Sequence, residues 1–497
     1  MQKKTWIIAI IAALVVGGGA SAFFILSKTP KEQYFYSEIK TIQHIQELVE
    51  TRFEKETEWV SIAGTKATDS TYELSGEFDG NTETQIEEML SNSNIAIRIA
   101  ADPNEREVET EINATVLGVD VEPIKAYITT EEIIVGLPFY DQLLQLNDKD
   151  FGKLMTTLDP NYAGTDSLGL DSFLGDKGIY TEENMEYLKD EYAMYLYEIL
   201  PEEAFTVTDE TVEMDGESVK AEKVAMALTE TQVKTILTDV FEKAKKDPKL
   251  EGIVKESTAS FIDQLNSASG TIETFNFEET MDELIKSVDD INLPNGINST
   301  IWHDSNLIVK REFNVEIPEA GLFEIVGTQS LEDSAQKFEY TIGVDNELLN
   351  ITGDLSSTKD GTYTDEVSIL DNNEVGLVYN GEEKLTGEER TFERTFTMED
   401  EYQPMEFLWN GKSNYKKDSM QADHEFVIAM DESSNAVIKV NEESKIIKKV
   451  NLPAESEEMV NIGTMDSNSL QQLVEDIYPE LESWGMNIME QFEQELY

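Results

Sequence analysis

Alternation of apolar and polar residues with a period of two is the feature that most restricts the folds open to this chain. It is clearest along residues 338–344 and recurs along most of residues 305–452. Turn-forming pairs such as Asn410-Gly411 separate the alternating segments. Because successive side chains of a strand point to opposite faces, the pattern predicts an antiparallel sheet of hairpins with one buried and one wet face.

A second set of alternating segments lies between residues 72 and 137, and it is followed by segments with helical spacing. Apolar residues three and four apart predict amphipathic helices at 31–53, 231–245 and 470–492. One continuous sheet with helical insertions and two similar subdomains meeting near 250–300 are both compatible with this pattern. The predicted fold class is α+β: a large, mainly antiparallel sheet, flat or curved, with helical insertions and one preceding transmembrane helix.

The predicted divisions of the chain follow from these segments. They are a cytoplasmic stub at 1–5, a transmembrane anchor at 6–27, an extracytoplasmic α+β half at 28–250, and a β-rich half with a C-terminal helix at 251–497. The two extracytoplasmic halves are also compatible with one continuous domain.

The N-terminal segment has no charged residue from Trp6 to Ser27. A helix of about 22 residues is about 33 Å long, enough to cross a hydrocarbon core of about 30 Å. Lys3 and Lys4 precede it, which predicts a cytoplasmic N-terminus and an extracellular bulk. The predicted membrane-embedded side chains include Trp6, Ile7, Ile8, Leu14, Val15, Val16, Phe23, Phe24, Ile25 and Leu26.

Cleavage of this segment is the alternative to a retained anchor. Ala20-Ser21-Ala22 has the small-x-small pattern of a signal peptidase site, so the chain could be cut after Ala22. The four large apolar residues at 23–26 would then begin the mature protein, which favours retention.

The net charge of −63 over 497 residues argues against nucleic acid as a partner, because phosphates would be repelled. It leaves a solvated acidic surface, or binding of divalent cations or a basic partner. The chain contains no cysteine, which excludes disulfides, zinc–thiolate sites and a cysteine nucleophile.

No catalytic pattern emerges from the sequence. The three histidines, His44, His303 and His424, are far apart and share no metal-ligand spacing, so each is interpreted as an ordinary surface or packed residue. With 101 acidic residues, pairs of carboxylates arise by chance throughout the chain. We therefore predict no catalytic, cofactor-binding or metal-binding residues, no cofactor, and no enzyme activity.

Two arrangements of helices on the sheet remain possible from the sequence. The helices pack flush and form a solid core, or the sheet curves and leaves an apolar cavity beneath them. In the second case the residues predicted to face an apolar ligand are Ile97, Ile99, Val135, Tyr340, Ile342, Phe407 and Trp409.

Two resemblances add to this reading. The block KKTWIIAIIAALVVGGGASAFFILSKTPKEQYFYSEIKTI resembles the start of an uncharacterised family of single-pass membrane proteins in Bacillus-type Gram-positive bacteria, with acidic, β-rich ectodomains. That family implies no catalytic residues. The order of N-terminal helix, meander, helical insert and meander resembles the LolA/LppX-like lipoprotein-carrier fold, which implies a half-barrel with a helical lid around acyl chains.

The function predicted first is a membrane-anchored, extracytoplasmic structural or interaction protein of the bacterial cell envelope. The alternative is a carrier or binding module for a lipid-like or amphipathic envelope molecule, and a hydrolase of unfamiliar type is the third hypothesis. The predicted partners are the lipid bilayer through the N-terminal helix, a lipid-like ligand, a wall polymer, divalent cations or an envelope protein.

Overall fold

The computed structural model describes most of residues 29–495. The positions it leaves undescribed within that range are 80–90, 163, 176–180, 215, 256, 258–275, 319, 373–374, 401–403, 432–433 and 455–456.

Helices occupy the start, the middle and the end of the described chain. They are α1 Pro30–Arg52, α2 Glu54–Ala63, α3 Phe151–Leu158, α4 Leu170–Phe173, α5 Glu182–Leu188, α6 Met194–Ile199, α7 Glu230–Lys245, α8 Phe277–Val288 and α9 Ser467–Glu495. A single π-helical turn, Lys189–Ala193, joins α5 to α6.

The strands lie in three stretches of sequence. The first holds β1 Thr68–Asp79, β2 Asn94–Asp102, β3 Glu107–Val116, β4 Val119–Ile128, β5 Glu132–Gly136 and β6 Leu143–Asn147. The second holds β7 Phe205–Met214 and β8 Glu217–Leu228. The third holds β9 Ile297–Asp304, β10 Leu307–Ile317, β11 Gly321–Glu332, β12 Ala335–Val344, β13 Glu347–Ser357, β14 Thr362–Asp371, β15 Val375–Thr386, β16 Glu389–Glu399, β17 Met405–Lys416, β18 Ser419–Asp431, β19 Ser434–Ile446 and β20 Met459–Asn461.

All of these strands belong to one 20-stranded sheet. Neighbouring strands follow chain order from β7 to β19, then continue with β1 to β6 and end with β20. Every neighbouring pair is antiparallel except β6 with β20. The sheet crosses the predicted boundary at residue 250 without a break, because β8 pairs with β9 on the far side of α7 and α8. The division into two halves stays a prediction.

Helix starts are well specified in the sequence. In α7, Thr229 Oγ1 accepts a hydrogen bond from the Gln232 amide at 3.3 Å, and Gln232 Oε1 accepts one from the Thr229 amide at 2.9 Å. This reciprocal pair, a capping box, satisfies two amides that have no partner within the helix. Thr29 forms the same arrangement with Glu32 at the start of α1.

We expect Thr229→Ala to lower the free energy of unfolding by about 1 kcal/mol, because the cap amides lose their acceptor. Thr231 lies two residues further along the same helix and is exposed, so Thr231→Ala is the matched control. Urea unfolding followed by circular dichroism measures both. Equal losses in the two variants would contradict a specific role for the cap.

The main core lies between one face of the sheet and the helices. We call this the inner face and define it as the face that α1 and α2 contact. Tyr34 of α1 and Ile301 of β9 are fully buried there, together with side chains of α6 and α7. At the other end of the helix pair, Trp59 packs on Met420 and Ala422 of β18. The helix pair therefore crosses the sheet from β8–β10 to β18.

The predicted fold class, an α+β fold preceded by a transmembrane helix, is wrong. One 20-stranded sheet organises the described residues, and the helices pack against it. Within those residues no segment meets the requirements of a bilayer-spanning helix. The physical reason is charge. In the longest described helix, α9, acidic residues such as Glu475, Asp476 and Glu480 recur along its length.

The predicted location is corrected with the fold class. The sequence predicts a single-pass cell-membrane protein with a cytoplasmic N-terminus, signal-anchored in the envelope of a Gram-positive bacterium. Both parts of that prediction require a helix that spans the bilayer. None of the described helices supplies it. Residues 6–27, from which the anchor was predicted, lie outside the part of the chain that the structure describes.

Candidate functional site

The seven residues predicted to face a ligand all lie on the inner face. Residues that are paired across neighbouring strands point to the same side of a sheet, so the register can be followed from β12 to β5. It connects Tyr340 and Ile342 on β12 with Phe407 and Trp409 on β17. It continues to the residues of β2 and β5, which are Ile97, Ile99 and Val135.

These seven residues do not form one pocket. From β12 to β2 there are nine strand-to-strand steps. At about 4.8 Å for each step, the distance along the sheet is about 43 Å. All seven are half-buried. The seven residues share one face of the sheet but lie far apart along it. Binding of a ligand by that face stays a prediction.

The inner face carries a strip of apolar side chains beyond the part that α1 and α2 cover. We call this strip the apolar band. Its members are Ile342, Ile351, Ile369, Leu377, Tyr379, Phe396, Phe407, Phe426, Ile438, Leu74, Ile95 and Ile97. Leu377, Ile438 and Ile95 are 37%, 42% and 46% exposed. The band is therefore apolar surface that is still partly open to water.

Aromatic rings form the centre of the apolar band and its margin. Successive ring centroids are 5.1–5.9 Å apart along the line Tyr379, Phe396, Phe407, Phe426 and Trp409. These spacings fall in the range preferred by interacting aromatic pairs. The rings therefore form one connected aromatic surface across β15–β18.

Polar groups fix the edge of this aromatic surface. The Arg394 guanidinium lies 4.5 Å from the ring centroid of Trp409, as a cation–π contact. Trp409 Nε1 donates a hydrogen bond to His424 Nδ1 at 3.2 Å. Burial lowers the pKa of His424 below its ordinary value, and Arg394 acts in the same direction. A neutral imidazole accepts this bond, so Trp409 is held in one orientation.

A buried group of charges lies where the α1–α2 junction meets the sheet. We call it the ionic cluster, and its members are Arg52, Glu56, Asp365, Glu383, Arg390 and Arg394. Arg52 donates two hydrogen bonds to Asp365, at 2.9 and 2.6 Å. Glu383 is 1% exposed and contacts Arg52, Arg390 and Arg394. Three arginines face three carboxylates, so the buried charges balance.

The arginines determine the protonation state of Glu383. Burial alone would raise the pKa of this carboxyl, but Arg52, Arg394 and Arg390 outweigh it and hold the pKa below its ordinary value. Glu383 is therefore charged at neutral pH. The cluster pins α1 and α2 to β14–β16 and borders the apolar band.

The enclosed apolar space beneath the helices is small. A cavity of about 30 Å³ lies between α1, α6, α7 and β8, and its lining includes Tyr34, Leu196 and Leu237. That volume corresponds to about one water molecule and does not accommodate an acyl chain. Among the residues that the structure describes, no three His, Asp or Glu side chains are grouped to bind a metal ion.

Sequence reasoning missed the ionic cluster. Arg52 and Asp365 are 313 residues apart in sequence, and nothing local marks either of them. The sequence offers one weak signal: Arg390 and Arg394 are the two basic residues of a strand, β16, that otherwise holds acidic, apolar and threonine residues.

Comparisons with known proteins assign no family. No family model matches the chain, and no curated protein matches it either. Solved structures with some likeness include Salmonella typhi OmpF in complex with daunomycin, 7% identical, covering 77% of this chain and 98% of that chain with a TM-score of 0.19. Pseudomonas aeruginosa OpdO is 5% identical and covers 77% and 96%, also with a TM-score of 0.19. Scores this low carry no argument about fold or function, and both resemblances stated from the sequence stay predictions.

Proposed function

We propose that this chain is a non-catalytic interaction protein whose apolar band binds an extended, amphipathic segment of a partner protein. The observation that carries the proposal is the band itself, which stays partly exposed while the inner face beside it is covered by α1 and α2. Contiguous exposed apolar surface is typical of interaction sites.

The dimensions of the apolar band support a partner of extended shape. A length of about 43 Å along the sheet corresponds to a helix of about 29 residues. The band contains rings of Tyr and Phe and has Trp409 at its margin, and these residue types contribute strongly to binding in protein interfaces.

A carrier for a lipid-like or amphipathic molecule is the second candidate. The connected line of aromatic rings favours it, since rings pack well on apolar chains. The 30 Å³ cavity weighs against it, because a carrier needs to shield an acyl chain from water. Absence of enzyme activity belongs to both candidates and stays a prediction.

Site-directed photocrosslinking tests the proposal. A crosslinking amino acid is placed at Leu377 in the apolar band, and in a separate variant at Val378, which is on the opposite face of the same strand. We expect Leu377 to crosslink to one protein in stoichiometric amount and Val378 to give no such product. A stoichiometric lipid extracted from the purified chain, with no protein crosslink, would replace the proposal with the carrier.

Introducing positive charge into the apolar band provides the corresponding prediction. We expect Leu377→Lys with Ile438→Lys to reduce partner binding by about tenfold or more, because both side chains would bury a charge in the interface. Both positions are partly exposed, so the free energy of unfolding should change by less than about 1 kcal/mol.

The matched control for this pair is Val378→Lys with Val437→Lys, on the outer face of the same strands. Binding by crosslinked fraction and stability by urea unfolding are measured for both pairs. Similar losses of binding in the two pairs would place the interface elsewhere.

A further inference from the structure

A polar cleft of about 670 Å³ opens at the edge of the sheet beside β7, β8 and β9. This volume falls within the usual range of small-molecule sites. Its floor contains a cross-strand row in which Asp209 pairs with Glu222 and Glu222 pairs with His303. The cleft lies on the part of the inner face beyond the main core and is separate from the apolar band.

The charge of the cleft is negative. Three residues with a carboxylate, Asp209, Glu222 and Asp304, line it beside the ammonium-bearing Lys220. The Glu210 carboxylate lies on the opposite face of β7, where it pairs with Lys223 at 3.0 Å. Three carboxylates against one ammonium leave a surplus of negative charge at the cleft, which favours a cationic ligand.

His303 is the unusual member of the lining. It is 4% exposed, and neither Nδ1 nor Nε2 has a hydrogen-bond partner. Glu222 Oε2 lies 3.6 Å from Nε2, which is beyond hydrogen-bond distance. Unsatisfied buried polar atoms are rare in folded proteins, because they carry a penalty in free energy.

The protonation state of His303 defines what it can accept. Burial lowers its pKa and outweighs Glu222 and Asp304, which act in the opposite direction. A neutral imidazole has one nitrogen that accepts a hydrogen bond. The cleft therefore combines one buried neutral acceptor with several carboxylate acceptors.

We propose that this cleft binds an organic ammonium group, which donates hydrogen bonds to the imidazole of His303 and the carboxylate of Glu222. An ammonium has three donors and no acceptor, so it matches a set of acceptors with negative charge. A metal ion fits less well, since three grouped ligating side chains are not found among the described residues. The inference does not depend on the proposed function, which concerns the apolar band.

The experiment uses the full-length chain with histidine-selective isotope labelling and spermidine as the probe, at physiological salt. The chain has three histidines, so the His303 resonance can be assigned by its loss in His303→Gln. We expect spermidine to shift the His303 resonance and to leave those of His44 and His424 unchanged. We expect Glu222→Gln to weaken binding by about tenfold or more, because a charge-assisted hydrogen bond is lost.

A matched control separates the site from general attraction to an acidic protein. Glu283 on α8 lines a second acidic surface with Glu278, Glu279 and Asp282, so Glu283→Gln removes the same charge elsewhere. Unchanged binding in Glu283→Gln supports the proposal, whereas equal weakening in both variants overturns it. Glu222 is exposed, so its variant remains informative if His303→Gln does not fold.

A tri-lysine peptide, used beside spermidine, identifies the source of the ammonium group. Tighter binding of a tri-lysine peptide than of spermidine indicates a lysine side chain of a protein, and the reverse order indicates a free polyamine. Either order supports the proposal. If only Zn²⁺ shifts the His303 resonance, or if no amine does, the proposal is overturned.

Discussion

Replacing Glu383 with alanine is expected to lower the free energy of unfolding by about 3–5 kcal/mol. The carboxylate is buried and neutralises Arg52, Arg390 and Arg394, so its removal leaves buried guanidinium groups without their partner. Removing one member of a buried charge group costs more than the group contributes as a whole, because the remaining charges stay desolvated. Urea unfolding of the full-length chain measures the loss.

The neighbouring residue provides the control for this result. Glu382 lies on the same strand, on the opposite face, and is exposed. Glu382→Ala should change the free energy of unfolding by less than about 0.5 kcal/mol. A similar effect of the two substitutions would show that net charge, and not the buried cluster, determines the loss.

The effect of Glu383→Ala should also depend on pH. The pKa of Glu383 is lowered in the folded state, so its charged form stabilises the fold above the ordinary glutamate pKa. This contribution is lost as the pH falls through the lowered pKa. The difference between the native chain and the variant should therefore be largest at neutral pH and narrow in acid. A difference that grows in acid would contradict the assigned charge state.

Replacing Tyr34 with alanine is expected to cost about 3–5 kcal/mol in the free energy of unfolding. The ring is fully buried, and its edges contact Phe35 and Phe205, with centroids 5.4 and 5.7 Å away. The substitution leaves a cavity in the main core. It also removes the hydroxyl that lies 2.6 Å from Ser299 Oγ, which leaves a buried oxygen unpaired.

Tyr36 is the matched control for Tyr34. It lies two residues further along α1 and is 37% exposed. Tyr36→Ala should cost less than about 1 kcal/mol, because little buried area is lost. Calorimetric unfolding of both variants distinguishes the two positions, and equal costs would mean that α1 does not present the face described above.

Local alternation predicted individual strands better than it predicted their arrangement. The cleanest segment, 338–344, lies in β12, and its apolar residues lie on the inner face. The pairing of β1 with β19 had no local signal, because the two strands are more than 350 residues apart in sequence. The transmembrane helix in the predicted fold class rests on an apolar stretch, residues 6–27, that lies outside the described residues. The helices that the structure describes are defined by their contacts with the sheet.

The candidate sites show the same limit. The alternation of side chains along each strand predicts that Phe407, Trp409 and Tyr340 share one face of the sheet. It does not predict how far apart their strands lie. His303 was interpreted as an ordinary residue, and its position beside Glu222 becomes visible only when the register of β8 and β9 is known. Buried charges such as Glu383 are equally hidden, since nothing in an acidic sequence marks the one carboxylate that three arginines surround.

The pairing of β1 with β19 also has a consequence for biosynthesis. The helices α1 and α2 and strand β1 leave the ribosome long before their partners on β17–β19 are made. At about 5–20 residues per second, an interval of roughly 20–75 seconds separates the two. During that time the helices and β1 wait without the strands on which they pack, and the aromatic side chains of β15–β17 emerge before the sheet is complete. Contacts this distant in sequence also slow folding, so the unpaired strands are exposed to aggregation until β19 has been made.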